Sequence, residues 1–505
     1  MVTDAFSEFP ASESEPEADP LGPASDPASS PVSEPASESA SGTGADAGGS
    51  AGTVAAPYDD GPLGWDGYGS ARQRARERTG EDESVISGTA RIAGVPTVLI
   101  SFEFGFLGGS LGERTGDRLV AAYTRARQLR LPVVTLIATG GSRMQEGMRA
   151  LTQLQRVAAQ SALTRAAGLP QIAVVRDPTT GGGWATLGAG ADVILALPGA
   201  QIGFAGSRVR PMDADPYAYS AEGQLAAGQI DAVVPRDRLR TALGRWLRLL
   251  SSGDGTGTTA EGTAEAAATP SAAPAPAADG AGPALEAAPP PHALGAPRLP
   301  ASGWEAVRSA RAEQRPRAAA YLDAYFDWRE EVNGDRCGGT DPGIRCGFGR
   351  RDGRTIAFAA QCGTAVRPAG FRTAARLVRM ADRLGIPVLT LIDTPGAAND
   401  AAAEQAGAGA AIADVFATLA SARTPVTSLL IGEGGSGGAL ALAAPGRLWA
   451  TPDSYFSVIA PEAAAAILKR DTDAVRDTAD QLRIRPQDLL DLGLIRGVVP
   501  VPGAR

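Results

Sequence analysis

Apolar positions in this chain fall into two kinds of run that alternate. Residues 132–137 (PVVTLI) and 387–392 (PVLTLI) are continuous aliphatic and β-branched stretches followed by turn residues. That is the pattern of a strand buried on both faces in a parallel sheet. Residues 171–175 and 426–431 read the same way, and apolar runs at 97–102 and 355–360 predict a strand ahead of each pair. Between the strands, helical periodicity spans 118–129 and 374–384, then 146–167 and 403–422. Strands alternating with helices predict an α/β class.

The series occurs twice. A shift of 255 residues lays LPVVTLIATGG (131–141) on IPVLTLIDTPG (386–396), Pro170 on Pro425, and Gly182-Gly183 on Gly437-Gly438. After a further 10-residue shift, GQIDAVVP (228–235) falls on GLIRGVVP (493–500). Repetition of this length points to a duplicated fold.

Composition places the units. Residues 1–71 hold 13 acidic residues, no Lys or Arg, and much Pro, Ser and Ala. Such a stretch cannot bury enough apolar surface to offset its ordering entropy, so a disordered acidic tail is expected there. The whole chain carries −9 and the tail −13, which leaves +4 on the remainder. Residues 251–302 are rich in Ala, Pro, Gly and Thr and read as a linker. Two units of 72–250 and 303–505 remain. The start has neither the basic residues nor the apolar core of a secretory signal, and no run of 18 apolar residues occurs. The expectation is a soluble, cytoplasmic protein without membrane contact.

The side-chain inventory excludes much chemistry. The single histidine, His292, sits in an Ala/Pro tract. No Ser-His-Asp or Cys-His arrangement and no His-ligated metal can then be built in a folded core. Cys337, Cys346 and Cys362 match no disulfide or zinc spacing, so no metal is expected. The single lysine, Lys469, lies in AAAAILKRD, which is neither a phosphate-binding loop nor a biotin-attachment site. The basic residues are almost all Arg, in a pattern that suggests no nucleic-acid partner.

What the chain does offer is glycine at strand-to-helix junctions. These are Gly140-Gly141 and Gly182-Gly183 in the first unit, Gly396 and Gly437-Gly438 in the second. Glycine permits a positive φ and close approach of a ligand. The start of a helix presents free N–H groups and favours negative charge. Two such turns on neighbouring strands can aim two N–H donors at one oxygen, an oxyanion hole made of backbone. The plain alternative is tight turns and close helix–sheet packing alone.

The first unit resembles the β subunit of bacterial acetyl-CoA carboxylase carboxyltransferase, through FEFGFLGGSLGERTGDRLV (102–120), ATGGSRMQEGM (138–148), DPTTGGGWA (177–185) and QIGFAGSRV (201–209). The second resembles the α subunit, through WEAVRSAR (304–311), GDRCGGTDPGI (334–344), LIDTPGA (391–397), IGEGGSGGALAL (431–442) and YFSVIAPE (455–462). The resemblance implies two tandem crotonase-type (ClpP/crotonase) ββα-superhelix domains. It implies transfer of a carboxyl group from carboxybiotin to the α-carbon of acetyl-CoA or a related acyl-CoA, giving malonyl-CoA or a homologue for fatty acid or polyketide synthesis. Gly140, Gly141, Gly182 and Gly183 would hold the enolate oxygen; Gly396, Gly437 and Gly438 would hold the biotin ureido oxygen. The biotin nitrogen would be the base. Arg143 and Arg208 are the candidates for contact with the substrate or its phosphates. Glu433 would orient backbone groups or cap the following helix. Carboxybiotin would arrive in trans, on a biotin carboxyl carrier protein charged by a biotin carboxylase. A homodimer would place each site between the first unit of one chain and the second unit of the other.

The chain departs from that family in three places. No four-cysteine zinc ribbon precedes the first unit. The family's Ala-Glu-Glu-Arg-Gly-Gln reads AEQAGA (403–408), and its Gln-Lys-Gly reads QCG (361–363). Two alternatives stay open on this basis: a crotonase-type hydratase or decarboxylase, and a catalytically degenerate carboxylase scaffold.

Overall fold

The computed structural model describes residues 3–9, 60–206, 209–227, 229–251 and 285–502. Two eight-stranded mixed sheets with helices packed on them make the α/β fold. The first sheet contains β1 (Ala5–Glu8), β2 (Val85–Ile92), β3 (Val95–Phe102), β4 (Val133–Thr139), β5 (Gln171–Thr180), β6 (Val193–Ala196), β7 (Ile202–Gly203) and β8 (Ala232–Val233). Its order is β1-β2-β3-β4-β5-β6-β8, with β7 beside β5. The second contains β9 (Trp328–Val332), β10 (Ile344–Arg351), β11 (Arg354–Gln361), β12 (Val388–Thr394), β13 (Val426–Gly435), β14 (Leu448–Ala450), β15 (Tyr455–Ser457) and β16 (Gly497–Val498). Its order is β16-β14-β13-β12-β11-β10-β9, with β15 beside β13.

The two sheets have the same topology. Each carries an antiparallel hairpin (β2–β3, β10–β11) and continues in parallel strands. β4 and β5 lie 255 residues before β12 and β13 in both first and last residue, and β8 lies 265 before β16. Burial explains the continuous runs: every residue of β12 is buried, as are the first five of β5. Helices on the faces exclude water, so no alternation with polar residues is needed.

Four expectations need correction. The helices predicted from 118 and 374 begin at Glu113 and Pro368. Their first turns, ERTGD and PAGFR, have little apolar periodicity, but Pro368 has the φ a helix start needs. The helix predicted over 403–422 is broken into Ala401–Gln405 and Ala408–Ser421. Gly407 at the break has φ 80, and the Gln229 side chain of the first unit fills the place of its missing Cβ. The acidic tail is structured at both ends. β1 pairs antiparallel with β2, and the helix Tyr68–Thr79 starts inside the stretch expected to be disordered. Trp65 and Tyr68 are buried beneath it, anchors that a composition average over 1–71 hides. Its residues 10–59 lie outside the described residues. The linker also has an ordered end. Ala293 N–H donates to Pro500 O at 3.0 Å, Thr427 Oγ1 to Ala288 O at 2.7 Å, and Tyr325 OH to Pro289 O at 2.8 Å. Ala288 and Ala293 of this Pro-rich segment are buried in the second unit's core. The linker's residues 252–284 lie outside the described residues.

The units share one core. The helix Gly147–Ala166 packs against Ala408–Ser421, and Gln155 Nε2 donates to Leu440 O (3.2 Å) and Ala443 O (2.5 Å) across the junction. Trp184, 2% exposed, lies against Gly409, where any side chain would collide with its indole.

Candidate functional site

In each unit two neighbouring parallel strands end in glycine turns. β4 runs into Gly140-Gly141, and β5 into the helical turn Gly181–Gly183. β12 runs into Pro395-Gly396, and β13 into the helix Ser436–Leu440. The hydrogen bonds repeat with the 255-residue shift. Gly141 N–H donates to Thr139 Oγ1 at 3.0 Å, and Gly396 N–H to Thr394 Oγ1 at 3.1 Å. Leu111 N–H donates to Gly141 O (2.9 Å) and Leu111 O accepts from Arg143 N–H (2.8 Å). Val366 does the same between Gly396 O (3.0 Å) and Ala398 N–H (2.8 Å). Gly140 N–H is also engaged, on Gly108 O at 3.0 Å.

Gly140, Gly141 and Gly396 therefore shape the turns, but their N–H groups already have acceptors. The next N–H along each turn, that of Ser142 and of Ala397, has no acceptor among the described residues. Neither residue stood out in the sequence. Each follows the repeat's glycine and has a polar or small side chain irrelevant to the role, so only the paired hydrogen-bond pattern reveals it. On the facing strand, Gly182, Gly183, Gly437 and Gly438 lie in the first turn of their helices, where N–H groups find no intrahelical acceptor.

Two of these positions require glycine. Gly141 has φ 102, a backbone conformation that residues with a side chain rarely adopt. A Cβ on Gly438 would overlap Ala397 N and Gly396 C, the backbone of the turn it faces. Only hydrogen at that position lets the two turns of the second unit approach.

Charged networks hold the turns from behind. Arg143 is 1% exposed. Its Nη1 donates to Glu146 Oε1 (3.0 Å), Glu83 Oε2 (3.1 Å) and Tyr68 OH (3.2 Å). Its Nη2 contacts Glu83 Oε1 and donates to Ser110 O (2.8 Å), and its Nε donates to Ser110 Oγ (3.1 Å). Burial disfavours the guanidinium charge, but the Glu83 carboxylate beside it outweighs that and raises the arginine's pKa. Burial likewise pushes Glu83 up, and Arg143 pulls it below the usual carboxylate range. The expectation that Arg143 contacts substrate is corrected: all its donor nitrogens are spent inside the protein. Glu146 also accepts from Glu113 N–H at 2.6 Å. The two carboxylates nearest the first turn are thus committed to Arg143 rather than open to a substrate, unlike the pair a hydratase needs. Arg208 lies outside the described residues.

In the second unit Glu433 accepts from Arg311 Nη2 (2.9 Å) and from the Tyr455 hydroxyl. Arg311 Nη1 also meets Glu462 at 2.6 Å. Glu433 therefore ties β13 to the helix Gly303–Arg311 and to β15 and does not cap the following helix. Asp393, fully buried, pairs with Arg315 and accepts from Glu433 N–H at 3.2 Å. Gln361, retained where the neighbouring family lysine is lost, donates through Nε2 to Gly438 O at 2.9 Å.

The two sets of turns meet within one chain. The Leu154 side chain occupies the space a Cβ on Gly182 would need, and its Cδ1 lies 4.0 Å from the Cβ position of Gly437. Phe204, which follows β7, stands 3.2 Å from that same position.

Comparison with known proteins identifies the family. The family model described as "Carboxyl transferase domain" matches residues 66–233, and "Acetyl co-enzyme A carboxylase carboxyltransferase-like" matches residues 300–505. The acetyl-coenzyme A carboxylase carboxyl transferase subunits beta/alpha of Salinispora arenicola are 40% identical over 445 residues, 85% of this chain and 75% of that protein. A probable biotin-dependent acyl-coenzyme A carboxylase beta3 subunit of Mycobacterium tuberculosis is 34% identical over 86% of this chain and 83% of its own length. The solved transcarboxylase 12S, 20% identical, aligns with 83% of this chain and 79% of its own, at a TM-score of 0.34. Among the described residues no helix is long and apolar enough to cross a membrane. With two units of like topology matched in the order beta then alpha, the chain belongs to the acetyl-CoA carboxylase carboxyltransferase family and is a carboxyltransferase.

Proposed function

We propose that the chain carries a carboxyl group from carboxybiotin, presented on a separate carrier protein, to the α-carbon of acetyl-CoA or a closely related acyl-CoA. The observation that carries this reading is the pair of matched turns. Among the described residues each leaves one loop N–H and the first N–H groups of a helix without acceptors, and both turns border the same two side chains, Leu154 and Phe204. Ser142 N–H with those of Gly182 and Gly183 would hold the thioester oxygen as it becomes an enolate. Ala397 N–H with those of Gly437 and Gly438 would hold the ureido oxygen. A single such donor is worth about 10²–10³ in rate. Among the described residues no His or Lys lies at the turns and the carboxylates nearest the first turn are committed to Arg143, which supports the ureido nitrogen as the group that takes the α-proton when its carboxyl group leaves. Arg208 is proposed to meet the acyl-CoA phosphates.

The reverse reaction tests this without partner proteins. Malonyl-CoA and free biocytin should yield acetyl-CoA, and Arg208→Ala should raise KM for the CoA ester in the same assay. Failure with malonyl-, methylmalonyl- and longer carboxyacyl-CoA alike would sink the proposal. Hydration of crotonyl-CoA instead would favour the hydratase reading.

A two-fold homodimer is proposed from the family; that its active sites are built inside each chain is proposed instead from the two sets of turns bordering Leu154 and Phe204 of one chain. Light scattering should give about 103 kDa, twice the 51.3 kDa of the chain; a species near the chain mass would remove the dimer.

A further inference from the structure

Between the two units lies a buried carboxylate that the reaction as described does not use. Glu404, in the helix Ala401–Gln405 of the second unit, is 1% exposed. Its Oε1 reaches across the junction and accepts from Ala205 N–H at 2.9 Å, and Phe204 N–H also points to the carboxylate. Its Oε2 is buried with no partner. The segment it grips continues from β7, whose Gly203 pairs with Thr180 at the end of β5, immediately before Gly181-Gly182. Phe204 itself stands against Gly437. One carboxylate thus holds the three-residue bridge that touches both glycine turns.

We propose that Glu404 is a positioning residue for carboxyl transfer: it sets the spacing of the two turns by clamping the Phe204–Ala205 backbone, and closure of the units around it takes up a proton. This rests on the proposed function above. The proton coupling follows from the surroundings. The charged and titratable groups facing the carboxylate are Asp400, on the same element, and Tyr219, from the first unit. Arg367 pairs with Asp400 at 3.1 Å, and Arg210 stacks on Tyr219 at 4.8 Å. Neither cation has an ion pair with Glu404. Burial pushes its carboxyl up to about 7, the two backbone donors oppose that, and Asp400 adds to it. An opened junction would return the group to its ordinary value near 4.5. The closed form therefore binds the proton more tightly, and its advantage is present at low pH and lost as pH rises from 4.5 through 7.

Amide exchange of the peptide covering 200–206, corrected for intrinsic rate, reads the clamp without any substrate. In the wild-type chain the opening constant should rise with pH and level off above 7, spanning about 300-fold. Glu404→Gln keeps an acceptor of the same shape and should hold the protection nearly pH-independent. Glu404→Ala should lose the protection and lower kcat in the reverse reaction by about tenfold or more, with KM for the CoA ester little changed. The glutamine variant should restore most of kcat. Equal pH dependence in wild type and Glu404→Gln, or full protection and kcat in Glu404→Ala, overturns the inference. If the exchange results hold and wild-type turnover is absent, the failure lies with the proposed reaction. Should the alanine variant not fold, the glutamine comparison alone decides.

Discussion

Replacing Gly438 with alanine is expected to lower kcat of the reverse reaction by at least about 10²–10³-fold while KM for the CoA ester changes little. The added Cβ would stand on Ala397 N and Gly396 C, which are backbone atoms that cannot rotate aside. The turn after β12 must then move away from the helix Ser436–Leu440, separating the Ala397 N–H from those of Gly437 and Gly438. It would also strain the bond from Gln361 Nε2 to Gly438 O. The loss belongs in kcat because these donors act on charge that develops only as the reaction proceeds. Circular dichroism and a melting curve of the same variant separate a displaced turn from an unfolded unit. Unchanged kcat in a folded Gly438→Ala chain would remove the second turn from the chemistry.

Arg143→Ala is expected to destabilise the first unit by about 3–5 kcal/mol, because it leaves Glu83 and Glu146 buried without their cation. A loss of that size corresponds to a fall in Tm on the order of 10 °C. Arg143→Lys should recover little, since one ammonium cannot reach Glu83, Glu146 and Ser110 from the positions a guanidinium spans. The wild-type contribution has a definite pH dependence. The Glu83 pKa is lowered in the fold, so its stabilisation is present above the ordinary carboxylate value of 4.5 and is lost as pH falls below it. Calorimetry between pH 6 and pH 3 reads this directly, and the alanine variant should lack that part of the slope. A variant with unaltered Tm and a raised KM for the CoA ester would return Arg143 to the substrate-contact role.

The parallel strands at the centre of each sheet were legible because total burial leaves a continuous apolar run, as in β4, β5, β12 and β13. The duplication was legible for the same reason, since both copies bury the same positions. The edges were not. β1 and β9 are short strands with exposed residues, and nothing in FSE or WREEV distinguishes them from loop. The glycine turns could be found by residue type, but which N–H groups stay free depends on bonds from Thr139, Thr394, Leu111 and Val366, none of which a motif displays. Arg143 illustrates the reverse error. Arginine beside a glycine turn in a CoA-linked family suggests phosphate, whereas its partners, Glu83 and Tyr68, come from distant stretches with no pattern linking them to it. Glu404 survived in the altered AEQAGA stretch, but its reach to Ala205 is a tertiary fact that no local pattern encodes.

The central claim is that one chain brings together both halves of the transfer site. Co-expression of a Gly141→Val chain with a Gly438→Ala chain tests it most directly. Valine cannot adopt the φ of 102 at position 141, so each partner lacks one functional turn. If each site is assembled inside a single chain, every chain in the mixture is defective and the mixed dimers stay as inactive as either parent in the malonyl-CoA and biocytin assay. Recovery of about a quarter of wild-type activity, the fraction of intact sites when two-fold dimers pair the units of different chains at random, would contradict the account.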